Sequence, residues 1–373
     1  METPAIRVSI APALTFERQM MRPVLCFAIS VAAIGQSMAQ EKPASPPWSA
    51  PATVETITEA RKFTSGGVEL GGTLYLPRSR KPVAAVVVTH SASSPLGDAS
   101  LYTHLKVMLP AMGIAVFTYD RRGSGRSGTK TAGGDYTILA DDAIAAVRSL
   151  KTDPRIDPRR IGSWGLSQGG WISPLAASRS PEIAFVIAVS APVVTADVQM
   201  LFSSTNHLRA NGHSQAEIDE MTATRKAVDA YMRGTGTREA AQALIDLART
   251  RPWFKYTYMG ETVRDRAVSG WRKEIENDPL RNLTGVKVPM LVLFGAHDAV
   301  VPVATSVERL KEIAPRMPKM KVHVVAGADH SMHMAADQSV TLDPRHDGTE
   351  TADSAEYIAV LSSWLAALGL VGN

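Results

Sequence analysis

The sequence predicts an α/β protein with a mostly parallel sheet, helices on both faces of that sheet and an all-helical insertion. Three observations predict it. Short apolar runs rich in β-branched residues recur along the chain, amphipathic segments separate them, and residues 195–282 contain no convincing strand. Alternation of buried strands with helices is typical of a parallel sheet that is covered on both faces.

The composition is that of a soluble globular protein, because 45% of the 373 residues are hydrophobic and 20% are charged. The formal net charge is only +4 and the Lys and Arg residues are not clustered, which argues against a nucleic-acid partner. His330 and His333 lie three residues apart, but no third ligand stands out. We therefore expect neither a metal nor another cofactor, and the sequence leaves the oligomeric state open.

The N-terminus predicts a signal peptide over residues 1–39. Arg22 supplies a positive charge, residues 23–35 are apolar but too short to span a bilayer, and small residues permit cleavage after Ala39. Residues 1–19 precede this signal and are interpreted as a misplaced translation start; a membrane anchor is the alternative. We expect a periplasmic or secreted protein without stable membrane insertion, and without Cys26, the single cysteine.

The mature chain divides into three parts. Residues 40–56 contain four prolines and predict an extended arm. Alternating residues with paired glycines at 57–76 predict antiparallel strands. Buried strands are predicted at residues 83–89, 114–119, 161–164, 185–190, 289–294 and 321–325. The predicted sheet domain therefore comprises residues 57–194 and 283–373, and the insertion between them is a predicted helical cap.

Helical spacing of apolar residues predicts helices near 140–150, 303–314 and 358–368. Within the cap, Ser214 and Glu217 form a capping box, and a second helix covers about 238–249. Insertions at the carboxyl edge of such a sheet usually lie over an active site.

The strongest chemical signal is the segment Gly165-Leu166-Ser167-Gln168-Gly169-Gly170, which follows a predicted strand and precedes a helix. This is the context of a nucleophile elbow, a turn so sharp that only small residues fit two positions before and after the serine. Ser167 would present its hydroxyl at a helix N-terminus, and the N–H of Gln168 would face a developing oxyanion.

A nucleophilic serine needs a base, and the base needs an orienting acid. Asp298 follows the strand at 289–294 and His330 follows the strand at 321–325, so we expect their loops to converge on Ser167. The alternatives for these two roles are His297, His323 and His333 for the base and Asp197 for the acid. Asp298 could also be a helix cap.

A second oxyanion donor is expected in the loop after the strand at 83–89, which contains Ser91 and Ala92. The Gly-rich loop at 120–127 lacks the spacing of a phosphate loop and is interpreted as packing beside the site.

Taken together, the motifs resemble those of α/β-hydrolase-fold enzymes, in particular the esterase and serine-aminopeptidase-like (dienelactone-hydrolase-like) group with a helical cap. The segments that carry the resemblance are Tyr119 through Ser127, Gly165 through Gly170, Gly295 through Pro302, and Asp329-His330. It implies a triad of Ser167, Asp298 and His330, with the backbone N–H groups of Ala92 and Gln168 as the oxyanion hole. Ser91 departs from the pattern, since the family usually has Gly there, which permits backbone angles that Ser resists.

The sequence therefore predicts a serine hydrolase that cleaves carboxylic esters of small acyl substrates. A peptidase or amidase with the same triad is the alternative, and a binding protein that kept the fold without the chemistry is a third hypothesis. A peptidase would want acidic residues in the cap to hold a substrate ammonium. The candidates are Glu261, Asp265, Glu274 and Glu276, although a solvated helix face also explains them.

The aromatic-rich part of the cap contains Trp253 and Phe254. We expect these two side chains to line an apolar pocket for short to medium acyl chains. The competing interpretation is that they pack the cap onto the sheet domain.

Overall fold

The computed structural model describes residues 54–339, 342 and 352–372. The predicted signal peptide and most of the predicted Pro-rich arm lie outside the described residues. Within the described ranges, no helix is both long enough and apolar enough to cross a membrane.

One sheet of eight strands forms the centre of the described chain. The strands are β1 Thr56–Ser65, β2 Val68–Pro77, β3 Val83–Thr89, β4 Ile114–Tyr119, β5 Ile156–Leu166, β6 Val186–Val189, β7 Met290–Gly295 and β8 Met320–Val325. Their order is β1-β2-β4-β3-β5-β6-β7-β8. Strand β2 pairs antiparallel with β1 and β4, and β3 to β8 pair in parallel. The predicted fold class is therefore confirmed.

From β3 onwards, the helices of the described chain alternate with the strands, except in the cap. They are α1 Thr103–Ala111, α2 Tyr136–Lys151, α3 Gln168–Arg179, α4 Ala196–Ala210, α5 Gln215–Arg233, α6 Arg238–Ala248, α7 Gly270–Ile275, α8 Pro279–Gly285, α9 Val303–Ile313 and α10 Ala355–Ala367. Five of them, α4 to α8, lie between β6 and β7.

The two faces of the sheet bury two separate apolar clusters. All seven residues of β3 are buried, and alternate residues belong to opposite clusters: Val87 is in the cluster that includes residues of α2, α3 and α9, whereas Val88 is in the one that includes residues of α1 and α10. Successive side chains of a strand point to opposite faces, so a strand covered on both sides must be apolar throughout. This explains why β3 and β4 have the bounds that the sequence predicts.

The start of β5 differs from its prediction. It begins at Ile156 rather than 161, because Ile156 pairs with Val83 before a register shift brings Ile161 opposite Ala85. The intervening residues are polar and partly exposed, and so carry no signal of a buried strand.

The cap has an apolar core of its own. Helix α5 begins with the predicted capping box, in which Ser214 and Glu217 bond reciprocally. A small cluster packs between the cap helices around the completely buried indole of Trp253, and its other buried members are Leu208, Ile218, Met221 and Ala248. Since burial of a large aromatic side chain contributes several kcal/mol, this cluster holds the cap helices together.

We expect Trp253→Ala to lower the free energy of unfolding by about 3–5 kcal/mol, because the substitution leaves a cavity in the core of the cap. Urea unfolding followed by circular dichroism measures the change. The matched control is Leu247→Ala, since Leu247 is 62% exposed; it should alter stability by less than about 0.5 kcal/mol. Equal effects of the two substitutions would contradict the assignment of Trp253 to a core.

Candidate active site

Ser167 is the single residue between the end of β5 and the start of α3. Its backbone has φ 57° and ψ −116°, a conformation that residues with side chains rarely adopt. A Cβ at Gly165 would lie 2.1 Å from the carbonyl oxygen of Gly169, and a Cβ at Gly169 would lie 2.4 Å from that of Thr89. Only glycine fits at either position, so the turn requires both glycines of the motif.

Asp298 lies in the loop after β7, and its side chain is completely buried. Its Oδ2 accepts a hydrogen bond from Nδ1 of His330 at 2.8 Å. Its Oδ1 accepts the backbone N–H groups of Val300 at 2.8 Å and Val301 at 2.9 Å. Three donors therefore stabilise the buried carboxylate and fix its orientation relative to the imidazole.

His330 lies in the loop after β8, and Ser190 donates its hydroxyl to the His330 carbonyl oxygen at 2.8 Å. Because Nδ1 carries the proton that it donates to Asp298, Nε2 is the ring nitrogen that can accept another. Ser167 and His330 line the same cavity. The loops after β5, β7 and β8 thus bring the three residues of the predicted triad to one edge of the sheet.

Opposing effects set the pKa of His330. Burial lowers the pKa because the imidazolium loses hydration, whereas the charge of Asp298 and the hydrogen bond to it raise the pKa, as does the charge of Asp329. The attraction outweighs the burial, and the pKa lies above the ordinary value of 6.5. Asp298 thereby stabilises the protonated imidazole.

Two side chains that the sequence did not single out hold the loop after β3. The Tyr102 hydroxyl accepts the N–H of Ser91 at 3.1 Å and donates to the carbonyl oxygen of Ser94 at 2.7 Å. Nη2 of Arg121 donates to the carbonyl oxygens of His90 at 3.2 Å and Ser91 at 3.0 Å. The sequence feature that could have indicated this role for Arg121 is its position just after β4, the strand next to β3.

The two predicted oxyanion donors lie on the cavity wall with Ser167. Gln168 is the first residue of α3, and the first N–H groups of a helix have no acceptor within that helix. Ala92 is exposed in the loop after β3. The neighbouring Ser91 is not one of the residues with positive φ, so Ser in place of Gly introduces no backbone strain there.

The Gly-rich loop at 120–127 packs against its own carboxylate, as interpreted from the sequence. The side chain of Asp120 accepts the N–H of Gly97 at 2.9 Å and that of Arg126 at 2.8 Å. A Cβ at Gly125 would lie 2.4 Å from Oδ2 of Asp120, so the tight turn needs glycine. These contacts fix the conformation of residues 120–127, which include Arg121.

The cavity at this edge of the sheet has a volume of about 850 Å³. Its wall combines the loops around Ser167 with cap residues from α4, α5 and the segment 258–271. Large apolar side chains contribute much of that wall, namely Tyr136, Trp171, Met200, Val228, Met232 and Trp271. A cavity of this size and lining suits a small organic substrate.

The structure does not bring Trp253 and Phe254 to the cavity, contrary to the prediction. Neither side chain belongs to the cavity wall. Trp253 is buried in the core of the cap, and Phe254 packs beside it with ring centroids 6.3 Å apart. The aromatic residues of this segment are needed to bury the cap helices against one another, and the cavity is lined by Trp271 instead.

The rival candidates for base and acid have partners of their own. The contacts are His297 with the carbonyl oxygen of Ala335 at 2.8 Å, His323 with Glu356 at 2.7 Å, His333 with Asp353 at 3.6 Å, and Asp197 with Arg233 at 2.7 Å. Among the described side chains, no cluster of three or more His, Cys, Asp or Glu has an arrangement that could hold a metal ion.

Among the cap acids, Glu274 lines the cavity, and its carboxylate accepts the Tyr136 hydroxyl at 3.2 Å. Burial raises the pKa of Glu274, although the hydrogen bond from Tyr136 and the charge of Arg121 oppose this. Glu276 pairs instead with Arg272 at 3.0 Å. The two remaining acids, Glu261 and Asp265, are exposed and are not part of the cavity wall.

Curated proteins with similar sequences include two enzymes. The thiohydrolase apmlB of Arthrinium phaeospermum is 27% identical over 256 residues, which are 65% of this chain and 80% of that protein. The monoacylglycerol lipase of Mycolicibacterium smegmatis is 24% identical over 292 residues, which are 74% of this chain and 91% of that protein.

Among solved structures, an esterase of Pyrococcus furiosus is similar in fold, with a TM-score of 0.51 and 19% sequence identity. The similarity covers 83% of this chain and 91% of the esterase. Residues 80–337, most of the chain, match the family described as serine aminopeptidase, S33. The chain therefore belongs to the serine aminopeptidase S33 family and is a hydrolase with the α/β-hydrolase fold.

Proposed function

We propose that the protein hydrolyses carboxylic esters through an acyl-enzyme intermediate. One observation carries the proposal: Ser167, held in a strained turn, lies on the same cavity wall as His330, whose Nδ1 donates to the buried Asp298 at 2.8 Å. An activated nucleophile, a base and an acid that orients the base are the parts that acyl transfer needs.

In the proposed mechanism, Oγ of Ser167 attacks the ester carbonyl while Nε2 of His330 takes the hydroxyl proton. Asp298 stabilises the imidazolium that forms, in keeping with the raised pKa of His330. The imidazolium then protonates the leaving alcohol, and the acyl group remains on Ser167. Water, deprotonated by His330, completes the cycle by attacking the acyl-enzyme and releasing the acid.

The oxyanion of each tetrahedral intermediate would be bound by the backbone N–H groups of Gln168 and Ala92. The N–H of Gln168 lies at the N-terminus of α3, where the helix dipole adds a partial positive charge. The loop with Ala92 is fixed by Tyr102 and Arg121, so this donor is held in place before substrate arrives.

A peptidase or amidase with the same triad is the second candidate, and the position of Glu274 favours it. A carboxylate in the cavity could bind a substrate ammonium. The carboxylate of Glu274 already accepts the Tyr136 hydroxyl, burial raises its pKa, and two arginines on the same wall oppose a cationic substrate. These features favour the ester hydrolase.

The direct test is Ser167→Ala. We expect kcat to fall by about four to six orders of magnitude and labelling by a fluorophosphonate probe to disappear, because the nucleophile is lost. Ser178→Ala is the matched control, since Ser178 lies on the same helix outside the cavity wall, and should keep both properties. Near-full activity of Ser167→Ala on acyl esters would refute the mechanism, and turnover of aminoacyl amides alone would favour a peptidase.

The second test is pH dependence. Only neutral His330 can accept the serine proton, so kcat/KM should decrease as the pH falls through the His330 pKa, which lies above 6.5. Asp298→Asn removes the charge that raises this pKa. Titration of the imidazole by NMR should therefore have its midpoint at a lower pH in that variant. An unchanged midpoint would show that Asp298 does not act on His330.

The third test concerns acyl length. Val228 lies on α5 at the cavity wall, and Val228→Phe should shift the preference among neutral p-nitrophenyl esters towards shorter chains, by roughly 1 kcal/mol per excluded methylene. Trp253→Ala is the control, because its side chain lies in the core of the cap. We expect that variant to be less stable with the same order of preference. If Trp253→Ala changed the preference and Val228→Phe did not, Trp253 and not Val228 would line the acyl pocket.

A further inference from the structure

A buried arginine faces the cavity from the cap. Arg225 lies on α5, exposes only 4% of its surface and forms part of the cavity wall. One of its Nη2 hydrogens is donated to the carbonyl oxygen of Thr257, and its guanidinium lies 5.8 Å from the ring centroid of Trp271. Its Nε has no acceptor among the described residues.

Several other arginines of the cap are neutralised by neighbouring carboxylates. The pairs are Arg233 with Asp197 at 2.7 Å, Arg251 with Glu220 at 2.9 Å, and Arg272 with Glu276 at 3.0 Å. Arg225 is more buried than any of these and takes part in no ion pair within the described ranges. A buried charge without a paired counterion is costly, so its retention at a cavity wall indicates a ligand that supplies the counterion.

A carboxylate on the same helix as Arg225 has another partner. Asp229 lies one turn along α5, and its Oδ1 accepts Nε1 of Trp271 at 2.7 Å. Burial raises the pKa of Asp229, and the bond from Trp271 and the charge of Arg225 oppose this only in part. Burial also lowers the pKa of Arg225, with the charges of Asp229 and Asp197 acting against it. Asp229 thus moderates the charge of Arg225 from a distance without bonding to it.

Basic side chains outnumber acidic ones on the cavity wall. The acidic side chain on the wall is Glu274, and the basic ones are Arg225, Arg264 and His330. Glu274 accepts the Tyr136 hydroxyl, and burial raises the pKa of Glu274 because the charged form loses hydration. A cavity with mainly apolar walls and a net positive charge attracts anions, because the low dielectric strengthens the field of its few charges.

Hydroxyl groups complete the polar part of this wall. Ser203 on α4 and Ser269, the residue before α7, are both buried and both line the cavity. Helices α4 and α7 pack with α5, the helix that carries Arg225. A guanidinium with hydroxyl donors on the adjoining helices is the donor set that suits a carboxylate.

We propose that the cap wall around Arg225 is an anion subsite that binds a carboxylate carried by the acyl chain of the substrate. This inference rests on the proposed ester hydrolase activity and adds the substrate class, which is half-esters of linear dicarboxylic acids. The ester carbonyl lies at Ser167, and the apolar wall between the two sites contacts the intervening methylenes.

The test compares matched pairs of substrates. One member is the monomethyl ester of a linear dicarboxylic acid and the other is the methyl ester of the monocarboxylic acid of equal length, over roughly four to eight carbons. Chromatography measures kcat/KM for both. We expect the charged member to be preferred about tenfold or more at the length that spans the two sites, mainly through a lower KM, since hydrogen bonds to charged groups are strong. Equal rates for both members at every length would overturn the proposal.

Substitution of Arg225 tests whether this side chain causes the preference for the charged ester. Arg225→Met should reduce the ratio of charged to neutral kcat/KM about tenfold or more, and this ratio is independent of how much of the variant is folded. Arg233→Met is the matched control, because Arg233 lies on the same helix, is paired with Asp197 and is not part of the cavity wall. Arg233→Met should leave the ratio of charged to neutral kcat/KM unchanged. If Arg225→Met also left it unchanged, Arg225 would not bind the carboxylate.

A second variant covers the case in which Arg225→Met fails to fold. Arg225→Gln removes the charge and keeps an amide donor for the Thr257 carbonyl oxygen. This variant should also lose the preference for the charged ester. Failure of the subsite leaves turnover of the neutral esters and fluorophosphonate labelling of Ser167 intact, whereas failure of the proposed hydrolase activity abolishes both, so the two failures are distinguishable.

Discussion

The close approach of the β5–α3 turn to the end of β3 is the constraint on which the site depends. A Cβ at Gly169 would lie 2.4 Å from the carbonyl oxygen of Thr89 and 3.0 Å from that of His90. The Thr89 hydroxyl donates to the carbonyl oxygen of Gly169 at 3.0 Å and contacts the hydroxyl of Ser173 at 2.8 Å. Backbone thus packs directly on backbone, which sets the distance between the Ser167 turn and the loop that follows β3.

The same turn is confined on its other side. A Cβ at Gly170 would lie 2.6 Å from the side chain of Ala191, in the segment that follows β6. Ser190 in that segment has φ 46° and donates its hydroxyl to the carbonyl oxygen of His330. Ser167 therefore lies between the ends of two neighbouring strands. The loop after β3 contains the proposed oxyanion donor Ala92, and Ser190 after β6 bonds to the backbone of His330. Strain at one residue persists because the surrounding contacts determine its position.

Much of the fold followed from local pattern, because β3, β4 and β7 are buried on both faces and must be continuously apolar. The sequence also showed the glycine spacing around Ser167, and it showed that Asp298 and His330 each follow a predicted strand. The roles of Tyr102 and Arg121 were not, since each acts on the loop after β3 through contacts that depend on the tertiary arrangement. A side chain that serves a neighbouring strand leaves no periodic signal in its own segment.

The error at Trp253 has a different cause. An aromatic residue in an insertion is expected to be buried, but sequence alone does not distinguish the core of the cap from the wall of the cavity. Helix α5 contributes to both. Ile218 and Met221 pack in the core with Trp253, whereas Val228 and Met232 follow on the cavity wall.

Arg225 belongs to that second stripe of α5, three residues before Val228 and seven before Met232. Residues at this spacing share one face of a helix. The stripe lies on the cap and not on the loops that carry Ser167, Asp298 and His330, so its side chains can vary while the elbow and its glycines stay fixed. Under the proposed function, the loops at the sheet edge supply the chemistry, and the face of α5 around Arg225 selects the substrate.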